Sequence, residues 1–216
     1  MKTSSLIELL ASDQLPSGLP AGTLRKAVGA ALVLSVSMVV GGWGLHADLP
    51  GLLQSASFQF KNLWVLALAL CSGGLLWRLA RPAQHDSHGM HGIGLALLAM
   101  ALMGATTLWQ AEPPARWGLL IGQSWWSCPL SIALISLPWL AVFLLYLRQM
   151  APTQLALSGA SAGFLSGALA TGLYSLHCIE TSYAFFGVWY AAGMGLSSLI
   201  GAILGPRLLR LLVPNL

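Results

Sequence analysis

Charge is what this chain most conspicuously lacks. Lysine, arginine, aspartate and glutamate make up 7% of its 216 residues, against 56% hydrophobic residues, where a water-soluble domain carries about 25% charged residues. A single soluble core has no means of hiding so much apolar surface, so a soluble globular fold is excluded. A nucleic-acid-binding surface is excluded as well: the net charge of +4 comes from ten basic residues spread along the chain, not from a cluster on one exposed face. Within the apolar runs no lysine, arginine, aspartate or glutamate occupies a central position. A charge there costs about 3 kcal/mol on insertion scales and is kept chiefly for ion or proton paths. That argues against a charge-coupled transporter, as does the lack of paired, broken helices in two related halves. Cysteines number three, none in a Cys-x-x-Cys arrangement, the usual spacing of a thiol-redox enzyme. No nucleophile beside a base, no phosphate-cradling loop and no carboxylate pair is visible, so the chain is not expected to be an enzyme.

What is present is six apolar runs, near 27–45, 62–77, 91–109, 129–147, 155–176 and 184–204. Each approaches the roughly 20 helical residues that cross a hydrocarbon core about 30 Å thick. The fold class is therefore all-α: a polytopic membrane protein, with a six-transmembrane-helix bundle over residues 27–210 in the lipid bilayer and a tail at 211–216. A cleaved signal peptide is not expected, because 26 residues precede the first run and five further runs follow it. Lys2, Arg25, Lys26, Arg78, Arg81, Arg148, Arg207 and Arg210 fall on one side, and only Lys61 and Arg116 on the other. This asymmetry places both termini in the cytoplasm.

The last two runs carry small residues at every fourth position: Gly159, Gly163 and Gly167 in one, and Gly193, Ser197, Gly201 and Gly205 in the other. Such rows let helix backbones approach closely. Packing within one chain is the expectation, with a homodimer through the same faces as the alternative. Trp43, Trp64, Trp77, Trp109, Trp125, Trp126 and Trp189 lie near the ends of runs and read as interfacial anchors.

Chemistry concentrates in three places. Cys128 opens the fourth run and Cys178 closes the fifth; the two helices run in opposite directions, so both thiols belong to the outer face. Three readings stand open: a disulfide or thiol switch, permitted in an oxidising compartment; a metal ion at the outer face held by Cys128, Cys178, His177 and Glu180, a donor set suited to zinc or a softer metal; and two unrelated small buried residues. The second place is the loop with His85, His88 and His91 around Asp86, which reads as solvated chain rather than a site because it lacks a fourth strong ligand. The third is the amino-terminal segment, residues 1–26. Ser5 with Glu8 fits a capping box. Leu6, Leu9 and Leu10 share one helical face with Ile7 beside it, before Pro16, Gly18 and Pro20 break the pattern. A helix this short is marginal alone, yet covering four such side chains returns roughly 6–12 kcal/mol before binding costs. The segment reads as a short amphipathic helix that folds on a partner, or else one that lies on the lipid.

Several stretches together carry a likeness: "MKTSSLIELLASD", "CPLSIALISLPWL", "LRQMAPTQLALSGASAGFLSGALATGLYSLHCIETS", "VWYAAG" and "GAILGPRLLR". In order, spacing and topology the chain resembles the NrsF family of six-span bacterial anti-sigma factors, nearly end to end and most strongly over residues 128–210. The resemblance implies a protein of the bacterial inner membrane whose cytoplasmic amino-terminal segment holds an extracytoplasmic-function sigma factor inactive until an envelope signal arrives. Under it, residues 1–13 are the sigma-holding segment, with Leu6, Ile7, Glu8, Leu9, Leu10 and Asp13 as contacts, and Cys128 and Cys178 are an outer cysteine pair acting as the sensor, of metal or of oxidative stress. The chain departs from the family pattern at Ser4 and Ser5, where acidic residues are common, and at Ile179, where proline is usual. The alternative is a protein of another class, a small membrane transporter or a thiol-redox membrane protein using Cys128 and Cys178.

Overall fold

A computed structural model describes residues 21–81, 88–150 and 152–210. Leu6, Ile7, Glu8, Leu9, Leu10 and Asp13, with His85 and the tail at 211–216, lie outside the described residues. Helix α1 (Ala21–Met38) runs on into a π-helical turn (Val39–Trp43), followed by the short α2 (Leu49–Gln54) and the long α3 (Ala56–Leu79). Next come α4 (His88–Gln110), the short α5 (Pro113–Ile121), α6 (Ser127–Met150) and α7 (Leu155–Tyr174). The last rod is continuous through α8 (Tyr183–Phe185), a second π-helical turn (Phe186–Tyr190) and α9 (Ala191–Arg210). Six of these segments are long and apolar enough to cross a membrane, from Gly22–Trp43 to Tyr183–Leu209, and the described residues contain no strand. The protein is a six-helix polytopic membrane bundle, as expected.

Local chemistry sets the boundaries. The Ser55 hydroxyl accepts from the Phe58 N–H at 3.3 Å and caps α3, so that helix starts at Ala56 rather than at residue 62. Asp48 caps α2 in the same way, accepting from Gly51 N–H at 3.1 Å. Pro113 and Pro114 sit in the first turn of α5, where a missing N–H leaves nothing unpaired. Gly122 ends that helix at φ +59°, and a Cβ there would strike the Glu180 carboxylate and the Phe185 ring.

The bundle is built around α7, which packs on α3, α6 and α9; α1 leans on α6, and α4 on α3. The apolar window of α7 is 61% buried against 11% for α4, so α7 is a core element and α4 a peripheral one. On α4, Leu95, Leu98 and Leu102 stand exposed, a lipid-facing stripe at helical spacing. The two glycine rows meet one another inside the chain. A Cβ on Gly159 would collide with the Gly201 carbonyl, and one on Gly163 with that of Ser197. Serines stitch the close contacts: Ser136 to Ser197 at 3.0 Å, Ser198 to the Ala160 carbonyl at 3.0 Å, and Ser35 to the Ile135 carbonyl at 3.1 Å. With no hydrophobic drive between helices in lipid, close backbone packing and such bonds, averaging about 0.6 kcal/mol each, hold the spans together.

Two assignments made from the sequence need correction. Trp64 is 6% exposed and donates its indole N–H to the Ala96 carbonyl at 2.8 Å, so it joins α3 to α4 rather than anchoring at an interface. Trp77, Trp109 and Trp126 are more than half exposed, as anchors require. Lys61, counted among the basic residues on the outer side and just ahead of the run near 62–77, is 1% exposed within α3.

Candidate functional site

Cys128 is the second residue of α6 and Cys178 follows α7 by one turn. Because α6 starts at the end of the bundle where α7 finishes, residues 50 positions apart in the chain enter one cluster. The Tyr174 carbonyl accepts from His177 N–H at 3.0 Å and Cys178 N–H at 3.2 Å, which extends the helix end far enough to turn Cys178 inward. Both cysteines are free thiols, 0% and 3% exposed, in a core shared with Tyr174, Phe185, Phe186 and Tyr190. Tyr174 and Tyr190 meet edge to face at 6.4 Å, and Phe186 and Tyr190 lie tilted by 40° at 5.3 Å. The buried Tyr190 hydroxyl has no hydrogen-bond partner among the described residues.

The loops tie this end of the bundle together. Backbone N–H of His46 donates to the Leu176 carbonyl at 3.1 Å. The ring Nδ1 of His177 lies 3.1 Å from the Gly44 carbonyl, which places a proton on that nitrogen. Ser175 donates to Asn62 Oδ1 at 3.0 Å, and Glu180 accepts from Gln123 N–H at 2.7 Å. His177 and Glu180 are therefore engaged with backbone, while the two thiols belong to the same buried core. Among the described residues, no three histidine, cysteine or acidic side chains gather in a metal-holding group. Within the second place of interest, His88 and His91 fall one turn apart at the start of α4. Cys71 lies in mid-α3, half-buried.

Sequence reasoning missed Lys61. Its ammonium sits 4.7 Å from the Phe186 ring centre, 5.5 Å from Phe58 and 5.7 Å from Tyr190. The signal was available: Ser55 before Phe58 is a helix start, and starting α3 there puts Phe58 and Lys61 one turn apart on the same face.

The fold and this site define a polytopic helical membrane protein with a closed, aromatic-walled thiol cluster at one end of its bundle. The family model for NrsF, negative regulator of sigma F, matches residues 10–211, and the chain belongs to that family. It is 37% identical over 218 residues to "Probable anti-sigma-F factor NrsF" of Azospira oryzae, covering 97% of this chain and all of the relative. It is 34% identical over 213 residues to "Anti-sigma-F factor NrsF" of Caulobacter vibrioides, with the same coverage. No solved structure matches the chain.

Proposed function

We propose that this protein is a membrane-bound anti-sigma factor of the bacterial inner membrane, with both termini in the cytoplasm. Its amino-terminal segment, through Leu6, Ile7, Glu8, Leu9, Leu10 and Asp13, holds an extracytoplasmic-function sigma factor and keeps it from the transcription machinery. An envelope stress alters the thiols of Cys128 and Cys178, and the bundle releases its partner. The observation that carries the reading is family membership: the match to negative regulators of sigma F runs through all six spans. The meeting of Cys128 and Cys178 in one core supports placing the input at that end. Two thiols oxidised to a disulfide give up two protons and pass two electrons to a thiol oxidant of the peroxide or disulfide class. Binding of a soft metal ion by the same sulfurs is the competing input.

The test is a pull-down from solubilised membranes. A sigma factor that co-purifies with the full chain, and is lost when residues 1–26 are removed, supports the assignment. A chain that carries no sigma factor in unstressed cells overturns it.

A further inference from the structure

The peripheral helix α4 leaves a groove of about 200 Å³ between itself and the last rod. It runs along α4 from Met100 through Gly104 to Leu108, with Leu120 contributed by α5, and Gly187 and Val188 by the second π-helical turn. The two helices are close at Gly104, where a Cβ would lie 3.0 Å from the Ala184 Cα. We propose that this groove seats one acyl chain of a zwitterionic phospholipid, whose phosphate is held by Arg116. The site is independent of what the amino-terminal segment binds.

Depth, size and charge select the occupant. Trp109 follows Leu108 and is 86% exposed, an aromatic anchor that sets this end of the groove at the membrane interface. From Leu108 back to Met100 the helix rises about 12 Å, close to the roughly 15 Å of one leaflet in a core about 30 Å thick. The groove therefore follows the acyl region of one leaflet. Its lining residues carry no polar side chain, so a polar ligand would find nothing to bond. A helix about 10 Å across has several times the volume of the groove over that length. A second copy cannot seat one there, whereas an alkyl chain fills it and is held by dispersion contacts with the walls. The indole N–H of Trp189 donates to the Leu120 carbonyl at 2.9 Å and pins α5 beside the groove. On α5, Arg116 is exposed, and its Nε donates to the Ala111 carbonyl at 3.0 Å, about one helical turn beyond Leu108. The guanidinium is thus held at the interface end. That bond uses one of its five N–H donors, and two others suffice to grip a phosphate. Glu112, exposed at the N-cap of α5, is the acid beside it. The two charges cancel, which favours a headgroup carrying both phosphate and ammonium over an anionic one.

Native mass spectrometry of the full-length chain in detergent, with dioleoylphosphatidylethanolamine added, reads the occupancy. One lipid should be retained per chain. Ala105→Phe and Val188→Phe place a ring in the groove from opposite walls and should each weaken binding about tenfold. Both positions are exposed, so the fold has room for the ring. Leu102→Phe, on the exposed stripe of α4, should leave binding unchanged. Arg116→Gln should weaken it about threefold, with Arg116→Lys closer to wild type; this surface change keeps the test decisive should a groove variant fail to insert. Dioleoylglycerol, with the same chains and no phosphate, and dioleoylphosphatidylglycerol, with a net negative charge, should both bind the wild-type chain more weakly than the ethanolamine lipid. Equal retention by the wild-type chain and the two groove variants overturns the proposal. So do equal binding of dioleoylglycerol, a preference for the anionic lipid, or a dimer that either groove variant dissociates.

Discussion

Two residues 50 positions apart do the same work only if they act as one unit, and that is the residue-scale question for Cys128 and Cys178. Both are buried in one core, so a serine at either should have the same effect on induction. The double Cys128→Ser, Cys178→Ser variant should be no worse than either single variant, because members of a unit are non-additive. A sigma-dependent reporter with and without a thiol oxidant measures it; additive losses would point to independent packing roles. His177→Ala should leave the oxidant response nearly intact, since that ring contacts the Gly44 carbonyl, and should weaken a response to soft metal ions if His177 is a donor. The cysteine pair was legible because helix direction alone brings the start of one span to the end of the next. Lys61 was not, because a hydropathy window that begins at residue 62 discards a lysine one position earlier; the serine cap that moves α3 upstream is a hydrogen-bonding signal, invisible to hydropathy. Trp64 was misread for a related reason. Nearness to the end of a run says interface, but the Ala96 carbonyl one helix away is a partner that only tertiary structure supplies.

At the scale of elements, the rows of small residues turned out to face each other across α7 and α9, and this sets a sharp contrast between two glycines. Gly163→Ala would drive a methyl into the Ser197 backbone, forcing the helices apart at a cost of about 1–3 kcal/mol. Gly195→Ala, on α9 with nothing within 4 Å of the added methyl, should be neutral or stabilising by up to about 1 kcal/mol. Thermal unfolding of the two purified variants in one detergent distinguishes them; equal melting temperatures would contradict the packing described here. The sequence showed both rows but not which pairing they serve, since the same spacing suits a homodimer. The π-helical turns and the short α2 and α5 were missed because none has a long apolar period. On the partner side, the spacing of Leu6, Leu9 and Leu10 leads to the expectation of one apolar helical face, which lies outside the described residues. Replacing all three with serine should free the sigma factor while leaving the chain inserted, and Glu8→Ala alone should weaken binding by about 1 kcal/mol or less. Retention of the partner at wild-type affinity by the triple variant would rule out a helix held in a groove.

For the molecule as a whole, input and output are proposed to lie on opposite sides of the membrane, and that proposal stands or falls with topology. The sequence counts eight basic residues on one side and two on the other, and the fold makes the imbalance steeper. Lys61 is buried inside the bundle, leaving Arg116, exposed at the surface on α5, as the basic residue that stands at the cysteine end. A lysine sheltered by aromatic rings contributes less to a loop-charge rule than one in an exposed loop, so orientation should be strongly determined rather than mixed. The bundle also suggests how the two sides communicate. α7 starts at Leu155 and ends at Tyr174, beside Cys178, and is packed along its length on α9 at backbone contact. Release of a partner by a change at the thiols would need a second arrangement of the bundle, and helices packed this closely are expected to move as a pair rather than slide. All of this requires the thiols outside and residues 1–26 inside. Alkaline phosphatase, active only outside the cytoplasm, should therefore be inactive when fused after Leu216 and active when fused between Arg116 and Gln123. The reverse pattern would put the leucine segment and the thiols on the wrong sides of the membrane, and a cytoplasmic sigma factor could then not be the partner of residues 1–26.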